Sequence, residues 1–549
     1  MLVAATALVA AAPARAQNPA VTIDVDAARD RRSINPDLYG VAYASATELA
    51  DLNVPLNRWG GNHTSRYNWQ VNADNRAADW YFESIAYGSS SAGAEFDAFV
   101  QQSRAAGARP MVTIPMLGWV ARLGAGRSKL ASFSIEKYGA QTDRDWQGFP
   151  DAGNGVRSGG DYVTGNDPAD ASTPADSAFQ LGWMLPLVDR WGPVGAGGVR
   201  YYVLDNEPSI WHETHRDVHP VGATMAEVRD RIVEYAGRVK DVDRDGLVIA
   251  PEEWGWTGYL LSGYDQQHGR ARGSSRVPDR TSHGGRAYLP WLLEELARAE
   301  QASGRRLLDV FSVHYYPQGG EFSNDTSEAM QLRRNRSTRS LWDPTYVDET
   351  WIADTVMLVP RLRGWVDAHY PGTRIAVTEY NWGAEGHVNG ATAQADVLGI
   401  FGREGLDLAA RWTTPAPSTP AYKAIKMYRN YDGERSTFGD VNVWAGGPDP
   451  DAVAVFAAQR TSDGILTVMI IAKVLSGATP ATVNLAGTTF GATAQVWRLA
   501  AENAITRLAD VPVSASRLTL SLPAQSITLL VIPASPFASH GNAPVELGN

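Results

Sequence analysis

Between residues 38 and 412 the chain alternates between short, largely β-branched apolar runs and longer stretches of helical periodicity. The runs are Leu38–Tyr43, Leu56–Trp59, Met111–Pro115, Tyr201–Leu204, Leu247–Ala250, Val310–His314, Arg374–Thr378 and Leu408–Trp412. Helical patterns between them include Ala94–Ala106, Met225–Asp241, Pro290–Ala302 and Asp354–His369. Near-continuous apolar runs of this length suit strands covered on both faces. Eight of them alternating with helices predict a closed, parallel (β/α)8 barrel.

Beyond residue 435 the grammar changes to short strands separated by turn residues, from Val453–Ala458 to Ser526–Ile532. That pattern predicts a β-sandwich. The alternating Val21–Val25 precedes the barrel and is expected to join the sandwich, leaving the barrel inserted between its pieces. The predicted boundaries are a signal peptide over 1–16, an N-terminal sandwich strand within 17–36, the barrel over 37–435, the sandwich over 436–540 and a tail over 541–549. Residues 122–177 are rich in Gly, Asp and Asn. They are far longer than a usual barrel connection and read as an elaborated loop.

The formal net charge is −11 and no basic stripe is present, which argues against nucleic acid and acidic polysaccharides as partners. There is no cysteine. The apolar Leu2–Ala12 followed by Ala14-Arg15-Ala16 has the form of a secretory signal with its cleavage site, so a secreted protein without disulfides is expected. No other run is long and apolar enough to cross a membrane. The 18 Trp and 21 Tyr exceed what a core needs and suit stacking on sugar faces.

Two of the runs end in a glutamate. Tyr201–Leu204 leads into Asp205-Asn206-Glu207-Pro208, and Arg374–Thr378 into Glu379-Tyr380-Asn381-Trp382. In a barrel of this class, catalytic groups sit at the C-terminal tips of strands. Two carboxylates there suit glycosidic bond cleavage, with Glu207 as acid/base and Glu379 as nucleophile. Either glutamate alone is as readily a strand-end ion pair; the two together, in this order, are not explained that way.

The other strand ends supply candidate supporting groups. Arg58 is placed to hold Glu379 ionised. Asn206 is placed to reach a sugar hydroxyl, and Tyr316, after His314, to hold the nucleophile. Glu252 and Glu253 end the fifth run, with sugar binding and a salt bridge both open for them. Trp59, Trp69, Trp382 and Trp412, with Glu253 and His314, are candidate substrate contacts. His215 and His219 are read as stabilising a loop.

At these residues the chain resembles glycoside hydrolase family 44. The resemblance rests on Arg58-Trp59-Gly60-Gly61-Asn62, Asp79-Trp80-Tyr81-Phe82-Glu83, Asp205-Asn206-Glu207-Pro208-Ser209-Ile210-Trp211, Pro251-Glu252-Glu253-Trp254, His314-Tyr315-Tyr316-Pro317 and Thr378-Glu379-Tyr380-Asn381-Trp382. It runs from about Val21 to Pro533. It implies a barrel plus sandwich, and retaining, endo-acting hydrolysis of β-1,4-glucans including xyloglucan; no catalytic cofactor is expected, and a monomer is the default. It also implies a structural calcium near the long loops. Oxygen donors suited to calcium occur at Asp151, Asn154, Asp161, Asn166 and Asp167, with Glu83 within possible reach. Larger family members carry additional binding modules, and none is expected after the sandwich, which speaks against firm anchoring to insoluble cellulose. The competing readings are a barrel glycosidase acting on xylan or mannan, a sugar-binding protein without activity, and a metal-dependent hydrolase. The last needs converging His and Asp at strand ends, where His314 stands almost alone.

Overall fold

The computed structural model describes residues 17–272, 275–447 and 449–535. The expected signal segment and tail lie outside them. Among the described residues, eight parallel strands close a barrel. They are β2 (Gly40–Ala42), β3 (Leu56–Trp59), β4 (Arg109–Ile114), β5 (Tyr201–Leu204), β6 (Leu247–Glu253), β7 (Val310–Tyr315), β8 (Arg374–Tyr380) and β9 (Leu408–Arg411). β1 (Val21–Asp26) precedes them. Two of the predicted runs, Leu56–Trp59 and Tyr201–Leu204, match their strands end to end. Leu38 and Tyr39 instead belong to a short 3-10 helix, Pro36–Tyr39, and β6 and β8 run past their predicted ends, to Glu253 and Tyr380.

Helices follow the strands: α1 (Ala46–Leu52), α2 (Ala94–Ala105), α3 (Ser177–Trp191), α4 (Met225–Val242), α5 (Tyr288–Ser303), α6 (Leu358–His369), α7 (Val388–Glu404) and α8 (Pro420–Arg429). Local chemistry starts them. Ser45 and Glu48 form a reciprocal capping box on α1, and the Thr224 hydroxyl accepts the Glu227 amide on α4. α4 then buries Val228, Ile232, Tyr235, Ala236 and Val239, one helical face, against the barrel. Leu56, Met111, Tyr201, Val203, Ile249, Val310, Ala376 and Leu408 fill the barrel interior.

The second unit is one sheet folded over on itself rather than two separate sheets. Its strands are β10 (Val441–Gly446), β11 (Val453–Gln459), β12 (Leu466–Ala472), β13 (Ala478–Ala486), β14 (Thr493–Leu499), β15 (Thr506–Pro512), β16 (Arg517–Pro523) and β17 (Ser526–Ile532). As expected, β1 joins them, parallel to β13 and antiparallel to β10. Sequence reading missed β10 and β15. β15 is largely exposed, so its burial pattern carries no alternation.

The sheet has two covered faces, which explains β12. All seven of its residues are buried. Leu466, Val468 and Ile470 point into the sandwich interior, while Met469 and Ile471 join the barrel core. The second face lies on α7, a helix rich in Gly and Ala. Gly399 is required there because a Cβ would enter the Phe456 ring. Across this interface Lys473 Nζ meets Asp396 Oδ2 at 2.5 Å, with both side chains buried. No described helix is long and apolar enough to cross a membrane.

Candidate active site

The C-terminal tips of β3, β5, β6, β7 and β8 meet at one point. Arg58 is fully buried inside the barrel. Its Nη1 donates to Glu379 Oε2 at 2.8 Å, and its Nη2 donates to Glu252 Oε2 at 3.0 Å and Asn206 Oδ1 at 3.2 Å. Gly60 makes room for it, since a Cβ there would lie 2.5 Å from the guanidinium carbon. Gly61, with φ of 88°, lets Trp412 approach equally closely.

Simple alternation does not bring these carboxylates together. On β6, Pro251 pairs with Ser312 and Glu253 with Val313, so Glu252 is an extra residue. On β8, Val377 pairs with Val313 and Glu379 with His314, so Thr378 is extra. Each bulge re-aims a glutamate into the barrel. Asp205, Glu207 and Glu252 all have left-handed backbone, with φ of 63°, 47° and 59°. Conformations this unfavourable for non-glycine residues concentrate at functional sites. Asp205 holds its turn by accepting the Met116 and Asn206 amides, and the Glu207 amide donates to the Glu252 carbonyl at 3.1 Å.

His314 is buried between carboxylates. Its Nδ1 lies 2.9 Å from Glu207 Oε1 and its Nε2 lies 3.2 Å from Glu252 Oε2. Burial pushes the imidazole down, but Glu379, Glu207 and Glu252 together hold it up at about 10. It is therefore an imidazolium donating from both nitrogens. Burial would raise Glu252, yet His314 and Arg58 hold it at about 2. Glu207 is raised above the ordinary carboxyl range, by burial first and by the charge of Glu379, against the pull of His314 and Arg58. The Tyr316 hydroxyl donates to Glu379 Oε1 at 2.7 Å. A carboxylate oxygen of Glu207, one of Glu379 and a ring nitrogen of His314 lie within 4.8 Å of one another. With Glu207 protonated, two cations (Arg58, His314) face two anions (Glu252, Glu379), and the buried cluster is neutral.

Arg58 and Tyr316 both reach Glu379, and Asn206 lies between Arg58 and Asn62. Trp412 is half-buried at the mouth, its ring centroid 5.4 Å from the Arg58 guanidinium carbon. Five expected substrate contacts are corrected. Trp59 packs among Tyr67, Phe96 and Trp183, on the helix side of its strand. Trp69 donates to the Phe179 carbonyl and packs against α3. Trp382 is buried, stacked on Tyr315 and bonded to Ser337. Glu253 is buried behind the site, and His314 reaches the carboxylates, not the cleft. Sequence reasoning missed Phe322, an exposed ring 6.3 Å from Tyr316 at the mouth. It left Glu252 undecided, and Glu252 is the member that ties Arg58, His314 and Thr378 together.

The carboxylates expected to hold calcium do not converge. Glu83 pairs with Lys129 Nζ at 2.9 Å, Asp151 accepts the Glu136 amide, and Asp161 is exposed. Asn154, Asn166 and Asp167 serve Thr142, the Asp217 carbonyl and the Ala169 amide. A lysine on Glu83 already supplies a positive charge there, and among the described residues these carboxylates form no common oxygen cage.

The model of glycoside hydrolase family 44 matches residues 73–319. Endoglucanase A of Paenibacillus lautus is 30% identical over 504 residues, which are 87% of this chain and 67% of that protein. Among solved structures, CelM2, a bifunctional glucanase-xylanase from a metagenome library, is 66% identical. It superposes with a TM-score of 0.94 over 94% of this chain and 100% of its own. A Paenibacillus polymyxa xyloglucanase with xyloglucan is 29% identical, with a TM-score of 0.79 over 94% of this chain and 100% of its own. This chain is a glycoside hydrolase and belongs to glycoside hydrolase family 44.

Proposed function

We propose that this enzyme cuts β-1,4-glucan backbones, xyloglucan included, at internal bonds and with retention of the anomeric configuration. The observation that supports retention is that a carboxylate oxygen of Glu207 lies within 4.8 Å of one of Glu379, which leaves little room for a water between them. Retaining enzymes hold their carboxyl groups about 5–5.5 Å apart, while inverting ones need about 6.5–9.5 Å for a water. Relatives described as an endoglucanase, a glucanase-xylanase and a xyloglucanase support the substrate class and the internal cut.

In the first step Glu379 attacks the anomeric carbon and forms a glycosyl ester. Glu207 gives its proton to the departing oxygen. As Glu379 loses its charge, Glu207 acquires one, so the buried charge count is unchanged. Glu207 is then a carboxylate with the opposing charge removed. It takes a proton from water as that water attacks the ester, and both groups return to their starting states. Glu252 and His314 keep their charges throughout. Trp412 and Phe322 offer faces for sugar rings on either side of this point.

Xylan is the second substrate to consider, because the 66% identical CelM2 is described as acting on both glucan and xylan. A polymer substrate favours work outside the cell, as the N-terminal sequence also does. The test is reducing-end release from xyloglucan, carboxymethylcellulose, xylan and mannan, with product anomers followed by NMR. Cleavage of both glucans with the β-anomer first is expected. The α-anomer first would defeat the retaining assignment, and cleavage of mannan or xylan alone would defeat the substrate assignment.

A further inference from the structure

β6 ends in two adjacent glutamates with opposite fates. Glu252 turns inward to Arg58 and His314. Glu253 turns outward and is fully buried. There it meets hydroxyls. The Ser209 hydroxyl donates to Glu253 Oε2 at 2.5 Å. Glu253 Oε1 and the Tyr288 hydroxyl of α5 are both buried without a hydrogen-bond partner, and the two side chains interact electrostatically. Gly258 leaves space for the pair, since a Cβ would come within 2.8 Å of both Glu253 Oε2 and the Ser209 oxygen. Ser209 stands two residues beyond Glu207, across Pro208.

Hydroxyls donate hydrogen bonds but bring no charge. A buried carboxylate without a close cation costs several kcal/mol, and such a group keeps its proton instead. We propose that Glu253 is a neutral carboxylic acid in the working enzyme and a positioning residue, setting through Ser209 the turn that presents Glu207. Its proton sits on Oε1, directed at Tyr288, which leaves Oε2 to accept from Ser209. This rests on the reading of Glu207 as the acid.

The groups facing Glu253 agree. Glu207 across the turn becomes an anion once it has given up its proton, and in that state it disfavours a second anion beside it. Tyr259 and Tyr288 are neutral phenols held well above their ordinary range, by burial first. His314 on β7 pulls the other way, but it is shared with Glu207 and Glu252. Burial pushes the Glu253 carboxyl up to about 8. Folding therefore favours the proton. The stability this gives is complete below about pH 4.5, the ordinary carboxyl value, and is lost as pH rises towards 8.

Two measurements on the full chain test the inference. The first is Tm against pH for the native enzyme and Glu253→Gln. The neutral amide should melt several degrees higher at pH 8, with the gap closing by pH 4. A lower Tm than the native enzyme at pH 8 would show that a carboxylate belongs there and overturn the proposal. The second compares kcat/KM, which reads only the first step, on a glucan and on a dinitrophenyl β-cellooligosaccharide, whose leaving group needs no proton. Ser209→Ala and Glu253→Ala should lose roughly 10- to 100-fold on the glucan at unchanged KM, and little on the activated substrate, with Glu253→Gln restoring the loss. Equal losses on both substrates would mean plain structural damage and end the positioning role. A Glu207→Gln control that also loses equally would overturn the acid assignment itself, and the Tm series would still decide the charge of Glu253.

Discussion

Two of the buried ionic clusters in this molecule are built differently. Between barrel and sandwich, Lys473 and Asp396 form a closed pair, about 1–2% exposed, with the Asn335 carbonyl taking a further Nζ hydrogen. At the barrel mouth, Arg58 and His314 face three carboxyls, two of which keep an open edge: Glu207 is 13% and Glu379 10% exposed at the side chain. The interface pair is saturated and has nothing further to do. The mouth cluster has one carboxyl more than it has cations, and burial raises that of Glu207. A spare titratable group inside an otherwise satisfied network is what separates a reactive site from a structural one.

That contrast can be broken at either end. The largest effect is expected from Glu379→Gln: roughly 10⁴-fold or more lost in kcat on glucan, with the fold intact by circular dichroism. Trapping of a glycosyl group on another residue would refute its role. Lys473→Met should do the opposite, leaving kcat unchanged while costing about 3–5 kcal/mol of stability, because Asp396 is stranded. Adding Asp396→Leu should return most of that in a melt, and a large fall in kcat for the single variant would erase the distinction between the clusters.

The pH dependence of stability should bear the mark of the mouth cluster. Glu252, depressed to about 2, contributes stability present above about 4.5 and lost as pH falls through 2. His314, raised to about 10, contributes stability present below about 6.5 and lost as pH rises through 10. Stability should therefore be widest between about pH 4.5 and 6.5, with the Glu253 proton shifting the maximum to the acid end. Glu252→Gln should flatten the acid limb in melts from pH 2 to 6; an unchanged limb would assign it elsewhere. The smallest effect is expected from Trp412→Ala, a several-fold rise in KM with kcat nearly kept, about 1 kcal/mol of stacking. An unaffected KM would remove Trp412 from the cleft.

Much of the barrel was legible because strands buried on both faces leave continuous apolar runs, as at Tyr201–Leu204. The aromatic contacts were less so, and the reason is directional. Arg58 points into the barrel, so its neighbour Trp59 must point out towards the helices, a period-2 argument available from the sequence alone. Applied there, it removes Trp59 from the cleft. The same rule fails at Glu252 and Glu379, because each strand gains a residue beside them and the alternation resets. A bulge has no side-chain signature, so choosing between Glu252 and Glu253 needed coordinates. Phe322 was hidden for another reason: it sits in an irregular loop after β7, where no periodicity ties it to the mouth.

The pairing of β1 with β13 bears on how the chain is made. Val21 and Ala481 are register partners, yet an entire catalytic barrel is translated between them. Synthesis runs from the N-terminus and domains tend to fold as they emerge. β1 thus leaves the ribosome long before the strands it pairs with. Contacts of such long sequence separation form slowly. The sandwich can therefore be fastened at β1 only once the C-terminal strands have arrived.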